Sequence, residues 1–327
     1  MKFLSKSGRS PRPPAGETDR VDALPSTNPR AAFALVILGA TFLMGSSFVA
    51  GKILLERGIP PMLLVGWRFF FAALFALPLA LLGKHWTAAF PRSARDAGWI
   101  AIIGLTQTAA VMGLLFYAMR TIPASTAAIL LFTNPLWVAT LAPFFLGERF
   151  RASSYVGLLF GIGGVALAIG FKGGGSSGSG EIVAGDWIAI LSAVCWAVAT
   201  IVNKRIKVEL GTWAVTFWQM LVGSLAVLAI AYAEGDVWPV GLSNQEWGWF
   251  LWLAVPASTG SFGLWFAALE KGGATRCSGF LFLVPLFTIL LSFLVFGHPI
   301  TWTQVGGAVM VGVAISLLSR GAQSTDM

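Results

Sequence analysis

Ten apolar runs, each near the length of a membrane crossing, occupy most of this 327-residue chain and restrict what it can fold into. A helix needs about 20 mostly apolar residues to cross the hydrocarbon core of a bilayer. The runs cover roughly 31–55, 61–83, 98–119, 123–146, 154–171, 186–203, 212–233, 247–269, 276–297 and 302–319. Only 11% of the residues are charged, less than half the ~25% of an ordinary soluble domain, so a water-exposed exterior could not be covered. The expected fold class is therefore an all-α integral membrane protein with ten transmembrane helices. Residues 1–30, rich in Pro, Arg and Ser, read as a disordered cytoplasmic tail, since they carry too little apolar area to form a core. A Gly/Ser stretch, 172–185, reads as a linker between two five-span halves, 31–171 and 186–319, and 320–327 as a second cytoplasmic tail.

The charges give an orientation. With the amino terminus in the cytoplasm, 17 of the 22 Lys and Arg fall on the inner side and three (Arg57, Arg120, Lys172) outside, with Lys52 and Arg68 left inside spans. This asymmetry follows the positive-inside rule and predicts a multi-pass protein of the cell's inner (plasma) membrane with both termini cytoplasmic. The net charge of +8 is thereby a topology signal. A nucleic-acid partner would require basic and aromatic residues on one soluble face, which the pattern lacks, so the expected partners are membrane lipid and a small-molecule solute.

The halves repeat at an offset of 150 residues. Leu131 to Leu136 (LFTNPL) meets Leu281 to Leu286 (LFLVPL), and Gly113, Phe116, Ala118, Ala124, Gly147 and Gly157 meet Gly263, Phe266, Ala268, Ala274, Gly297 and Gly307. An odd number of spans per repeat makes the second enter the membrane with opposite orientation, a plan of secondary transporters whose site lies between the halves. FYAMRTIPASTAAILLFTNPLWVATLAPFFLGERF with YVGLLFGIGGVALAI, and FAALEKGGATRCSGFLFLVPLFTILLSFLVFGHPITWTQVGGAVMVGVAISLL, resemble the two repeats of the drug/metabolite transporter superfamily, EamA type. Within it the chain is similar to YddG-type exporters of aromatic and other amino acids. The resemblance implies a central cavity lined mainly by spans 1, 3, 4, 6, 8 and 9, with spans 5 and 10 peripheral. Where the first repeat has Gly147-Glu148, the second departs with Gly297-His298.

Polar groups inside spans should face protein or a water-filled cavity. Arg68 has two readings: it snorkels outward or pairs with Glu56, or it attracts the carboxylate of an amino-acid solute. Since span 2 is outside the implied lining, the structural reading is favoured. Lys52 and Lys204 read as snorkelling end residues. Gln107, Asn134 and Thr259 are the expected polar contacts; Asn134 precedes Pro135, which leaves a carbonyl free or breaks the helix. Ser46, with Gly45 and Ser47, belongs either to a packing face or to the cavity wall. Trp196 and Trp265 would form an aromatic wall suited to an apolar or aromatic solute. Gly157 with Gly161, and Ala308 with Gly312, have the small-xxx-small spacing of close helix packing, within the chain or at a dimer contact, so monomer and homodimer both stay open.

All 14 carboxylates lie in tails, loops or span ends, and there is no GxxxxGK[ST] loop for ATP. Two His and two Cys are too scattered for a metal, and no acid, base or nucleophile constellation marks an enzyme, so neither a cofactor nor a metal is expected. The expected function is export of aromatic or apolar amino acids or related metabolites by alternating access. The alternatives are a phosphorylated or sugar-nucleotide solute, which needs more buried cations, or a non-transporting membrane scaffold or lipid enzyme. Two cations and no anion inside the membrane favour a neutral or zwitterionic solute over a highly charged one.

Overall fold

Proline and glycine at the expected breaks divide the apolar runs into helices in a computed structural model that describes residues 29–82, 90–146, scattered positions from 156 to 167, 180–205, 210–281, 283–297 and 299–323. The helices are α1 (Pro29–Glu56), α2 (Pro61–Leu81), α3 (Ala94–Ile103), α4 (Val111–Ala118), α5 (Ala124–Leu131), α6 (Asn134–Leu146), α7 (Gly180–Arg205), α8 (Thr212–Ala233), α9 (Asn244–Ala254), α10 (Ser261–Phe280), α11 (Leu283–Phe296) and α12 (Trp302–Gln323). Among the described residues there is no strand. Six spans are long and apolar enough to cross a membrane on their own, and three shorter apolar helices accompany them. Leu35, Phe144, Leu294 and Trp302 lie largely exposed on the outside, as a lipid-facing surface requires.

Two spans contain a π-helical turn. Gly104–Ala110 joins α3 to α4, and Val255–Gly260 joins α9 to α10. These segments lie at corresponding positions of the two halves, close to the offset of 150 residues. Pro135 has no N–H to bond back, and span 4 breaks into α5 and α6 around Phe132 and Thr133, where Leu136 N bonds to Thr133 O at 2.8 Å.

The halves exchange partners. α1 packs on α10 and α11, α7 packs on α4, α5 and α6, and α2 lies against α8. The first helix of each half thus rests on the third and fourth spans of the other. This is the packing of two repeats related by a two-fold axis, and five spans per repeat place that axis in the membrane plane. The fold is the expected ten-span arrangement of two inverted repeats.

Several boundaries differ from expectation. α7 begins at Gly180, inside the stretch assigned to the linker. α12 continues to Gln323, past the expected end at 319. α10 runs through residues 270–275, expected as a loop; the second half lacks a proline at Gly273 where the first has Pro123, so nothing blocks the helical bonds there. Residues 1–28, Gly147, Glu148, the linker segment 172–179 and His298 lie outside the described residues. Gly161 closes on Leu136, and Ala308 is buried with Ile129, Ile289 and Val311, so these small residues pack within the chain.

Candidate solute site

A cavity of about 640 Å³ opens between the repeats. Its wall is predominantly apolar and aromatic, and both halves contribute to it: Ser47, Arg68, Gln107 and Asn134 from the first, Trp196, Gln219 and Trp265 from the second. Such a wall with a few polar groups is the usual make-up of a small-molecule site.

Five of the seven residues singled out from sequence line this space: Arg68, Gln107, Asn134, Trp196 and Trp265. The other two are held by hydrogen bonds away from it. Ser46 donates to Leu43 O at 2.8 Å and accepts from Trp252 Nε1 at 2.9 Å, tying α1 to α9. Thr259 donates to Ala72 O at 2.8 Å, tying the second π segment to α2. Neither lines the cavity, because the π turn shifts the helical phase by a residue and turns Thr259 toward α2, while in α1 it is Ser47 that lines the cavity. An interhelical bond inside a membrane protein is worth about 0.6 kcal/mol on average. Thr259→Val is therefore expected to lower the unfolding midpoint in detergent slightly and leave solute binding unchanged; a loss of binding with normal stability would return Thr259 to the site.

Arg68 changes its reading. α2 does line the cavity, through Arg68 and Phe69, as does α8 through Thr216 and Gln219, both beyond the lining that the family resemblance implied. The guanidinium is not paired with Glu56, which sits 3.8 Å from Lys52. Arg68 is 4% exposed, and its Nε donates to Ser258 Oγ at 2.8 Å, across the boundary between repeats. Ser258 in turn donates to Leu253 O at 2.8 Å, a span of five residues that the π turn makes possible. The Arg68 carbon Cζ lies 4.7 Å from the Phe69 ring centre and 5.3 Å from that of Phe116, within cation–π range. Its Nη1 and the Asn134 Nδ2 are buried with no hydrogen-bond partner among the described residues.

Aromatic contacts hold the wall in shape. Trp196 meets Phe132 edge to face at 5.6 Å, and Phe132 lies 6.3 Å from Phe48. Phe266 packs against Trp213 at 5.5 Å and Phe262 at 6.0 Å. Lys52, expected to snorkel, instead donates to Met119 O at 2.7 Å, just past the end of α4. Among the described residues no cluster of His, Cys, Asp and Glu could hold a metal ion.

The sequence profile of the EamA-like transporter family matches residues 32–170 and again 183–320. The chain belongs to the EamA-like transporter family. Its double match coincides with the two repeats seen in the packing. This family member is 24% identical over 325 residues to an uncharacterized transporter of Synechocystis sp., covering 93% of this chain and 94% of that relative. It is 27% identical over 298 residues to a WAT1-related chloroplastic protein of Arabidopsis thaliana, covering 87% and 68%. It is also 27% identical over 208 residues to the aromatic amino acid exporter YddG of Ancylobacter novellus, covering 63% and 71%. A crystal structure of a protein superposes with a TM-score of 0.63 at 20% identity over 91% of this chain and 99% of the other, which shows a shared fold.

Of the lining residues that sequence reasoning missed, Gln219 left a signal. The pair Trp218-Gln219 echoes Trp67-Arg68 at an offset of 151 residues. Ser47 and Thr108 stood in the polar clusters around Ser46 and Gln107, whereas Thr216 left no signal, since a hydroxyl residue on a helix serves packing equally well.

Proposed function

We propose that this EamA-type chain is a secondary transporter that exports aromatic or apolar amino acids, or related small metabolites, from the cytoplasm across the plasma membrane. The cavity between inverted repeats opens to one side and then the other as the repeats rock. Both termini are cytoplasmic in this reading, in accord with the 17 basic residues expected on that side. The observation that carries the reading is the cavity itself, bounded by both repeats and walled by Trp196 and Trp265 with few polar groups. An amphipathic solute would lie with its apolar part on the rings and its polar end toward Arg68, Gln107 and Asn134. The similarity to an aromatic amino acid exporter supports the solute class.

Purified protein in liposomes loaded with labelled phenylalanine or tryptophan should release the label faster than protein-free vesicles. Trp265→Ala should raise the half-saturating concentration about tenfold, the equivalent of one lost ring contact of ~1.4 kcal/mol, with its elution profile intact. Release no faster than from empty vesicles, for every amino acid tried, would refute the proposal.

A further inference from the structure

We infer that the cavity selects for a single carboxylate and makes no demand for an ammonium group, so that its preferred solutes are monoanionic acids with an aromatic or apolar body. The inference rests on reading the cavity as the solute site and narrows what that site recognises.

Arginine keeps its charge in proteins, so a nine-tenths buried guanidinium must be compensated or stay costly. Arg68 is 4% exposed, lines the cavity and has its Nε committed to Ser258. That bond and the two ring contacts fix the plane of the guanidinium while Nη1 keeps an unused, buried donor. The ion pairs of Lys52 with Glu56 and of Arg57 with Glu246 use other groups, and no described lining residue is a carboxylate. A held guanidinium with a free N–H and no anion is an incomplete charge-assisted pair. A solute carboxylate completes it.

The inverted symmetry sets the number of charges. Gln219 stands in the second repeat where Arg68 stands in the first, and both line the cavity. An amide in place of a second guanidinium leaves one cation among the described lining residues, which balances one negative charge and not the two or more of a phosphate ester or dicarboxylate. The remaining polar lining, Gln107, Asn134 and hydroxyl groups, is neutral. An ammonium brought here would lose its hydration without meeting an anion and would share the space with a like charge. The amino group of an amino acid is thus tolerated at a cost, and removing or acylating it removes the cost.

Four probes of one shape separate these terms: 3-phenylpropionate, N-acetylphenylalanine, phenylalanine and phenethylamine, titrated against the full chain in nanodiscs. The acid and the acetylated amino acid should bind at least as tightly as phenylalanine, and phenethylamine about tenfold or more weaker, the worth of one charge-assisted bond. Arg68→Gln should erase the preference for acid over amine, and Arg68→Lys should keep it. Phenethylamine binding as tightly as 3-phenylpropionate to the unaltered chain would overturn the inference, as would a folded Arg68→Gln variant that still prefers the acid. Those results leave the solute reading of the cavity standing, whereas binding of none of the four would overturn that reading and this inference together.

Discussion

Gly223→Val is expected to leave almost no folded protein. A Cβ at Gly223 would stand 2.4 Å from Thr108 Cβ and 2.6 Å from Gly104 O, where α8 crosses the first π segment. The approach is reciprocal, since a Cβ at Gly104 would stand 2.9 Å from Gln219 O. The two nearest atoms are a backbone oxygen and a first side-chain carbon, which no rotamer change moves, so the helices must part. Overpacking costs about 1–3 kcal/mol where side chains can yield, and here more, because separating α8 from the π segment also disturbs Gln219 and Thr108 in the cavity wall. Fluorescence-detected size exclusion after heating should show the variant aggregated at temperatures where the parent is monodisperse. Gly98→Ala serves as the control, since its added carbon meets nothing within 4 Å and should leave the profile unchanged. Equal profiles for Gly223→Val and the parent would mean that α8 and the π segment do not meet this closely.

Arg68→Met is expected to do the reverse for stability while weakening solute binding. Replacing a buried ion pair by apolar side chains of similar volume is neutral or stabilising by about 1–4 kcal/mol in measured cases, and a buried charge with no counter-charge has more desolvation cost to recover. The Ser258 hydroxyl keeps its bond to Leu253 O, so the substitution does not strand a buried donor. The unfolding midpoint should rise, and binding of a carboxylate solute should fall about tenfold to a hundredfold with the loss of one charge-assisted bond. A thermal melt and a binding titration on the same preparation check both signs. A lower midpoint for Arg68→Met would show that the bond to Ser258 and the ring contacts outweigh the burial cost. Opposed changes in stability and binding are what a site that spends stability on a ligand charge should show.

How far the site was legible in the sequence follows the same line. A charge in an apolar run stands out against the cost of burying it, so Arg68 was visible, and so were Gln107 and Asn134. The partner of Arg68 was not. Glu56 was the nearest acid in the chain, but Ser258 lies 190 residues away and reaches Arg68 only through the packing of the second π segment against α2. The ten spans and their inversion came from hydropathy and an odd count, which do not depend on side-chain phase. Thr259 was singled out from its mid-membrane place in a polar cluster, which does not say which way a side chain turns, and its hydroxyl bonds to Ala72 O on α2. α10 carried no sequence mark of continuity beyond the lack of a proline, and Gly272 and Gly273 looked like a break. Ser46 and Ser47 show the finest limit: adjacent hydroxyls on one helix, one tied to Trp252 and the other on the cavity, differ by a rotation of about 100° that composition cannot carry.

The paired π turns have one more consequence. Each inserts a residue into a helical lattice, in the manner of a dislocation in a crystal, and shifts everything beyond it by about 100° in phase. A dislocation moves by local exchange: passing the wide turn to the next residue swaps one carbonyl acceptor for its neighbour and never unfolds the rod. Both defects border the cavity, through Gln107 and Thr108 in one and Ala257 in the other, so its wall is built where the register of two helices is displaced.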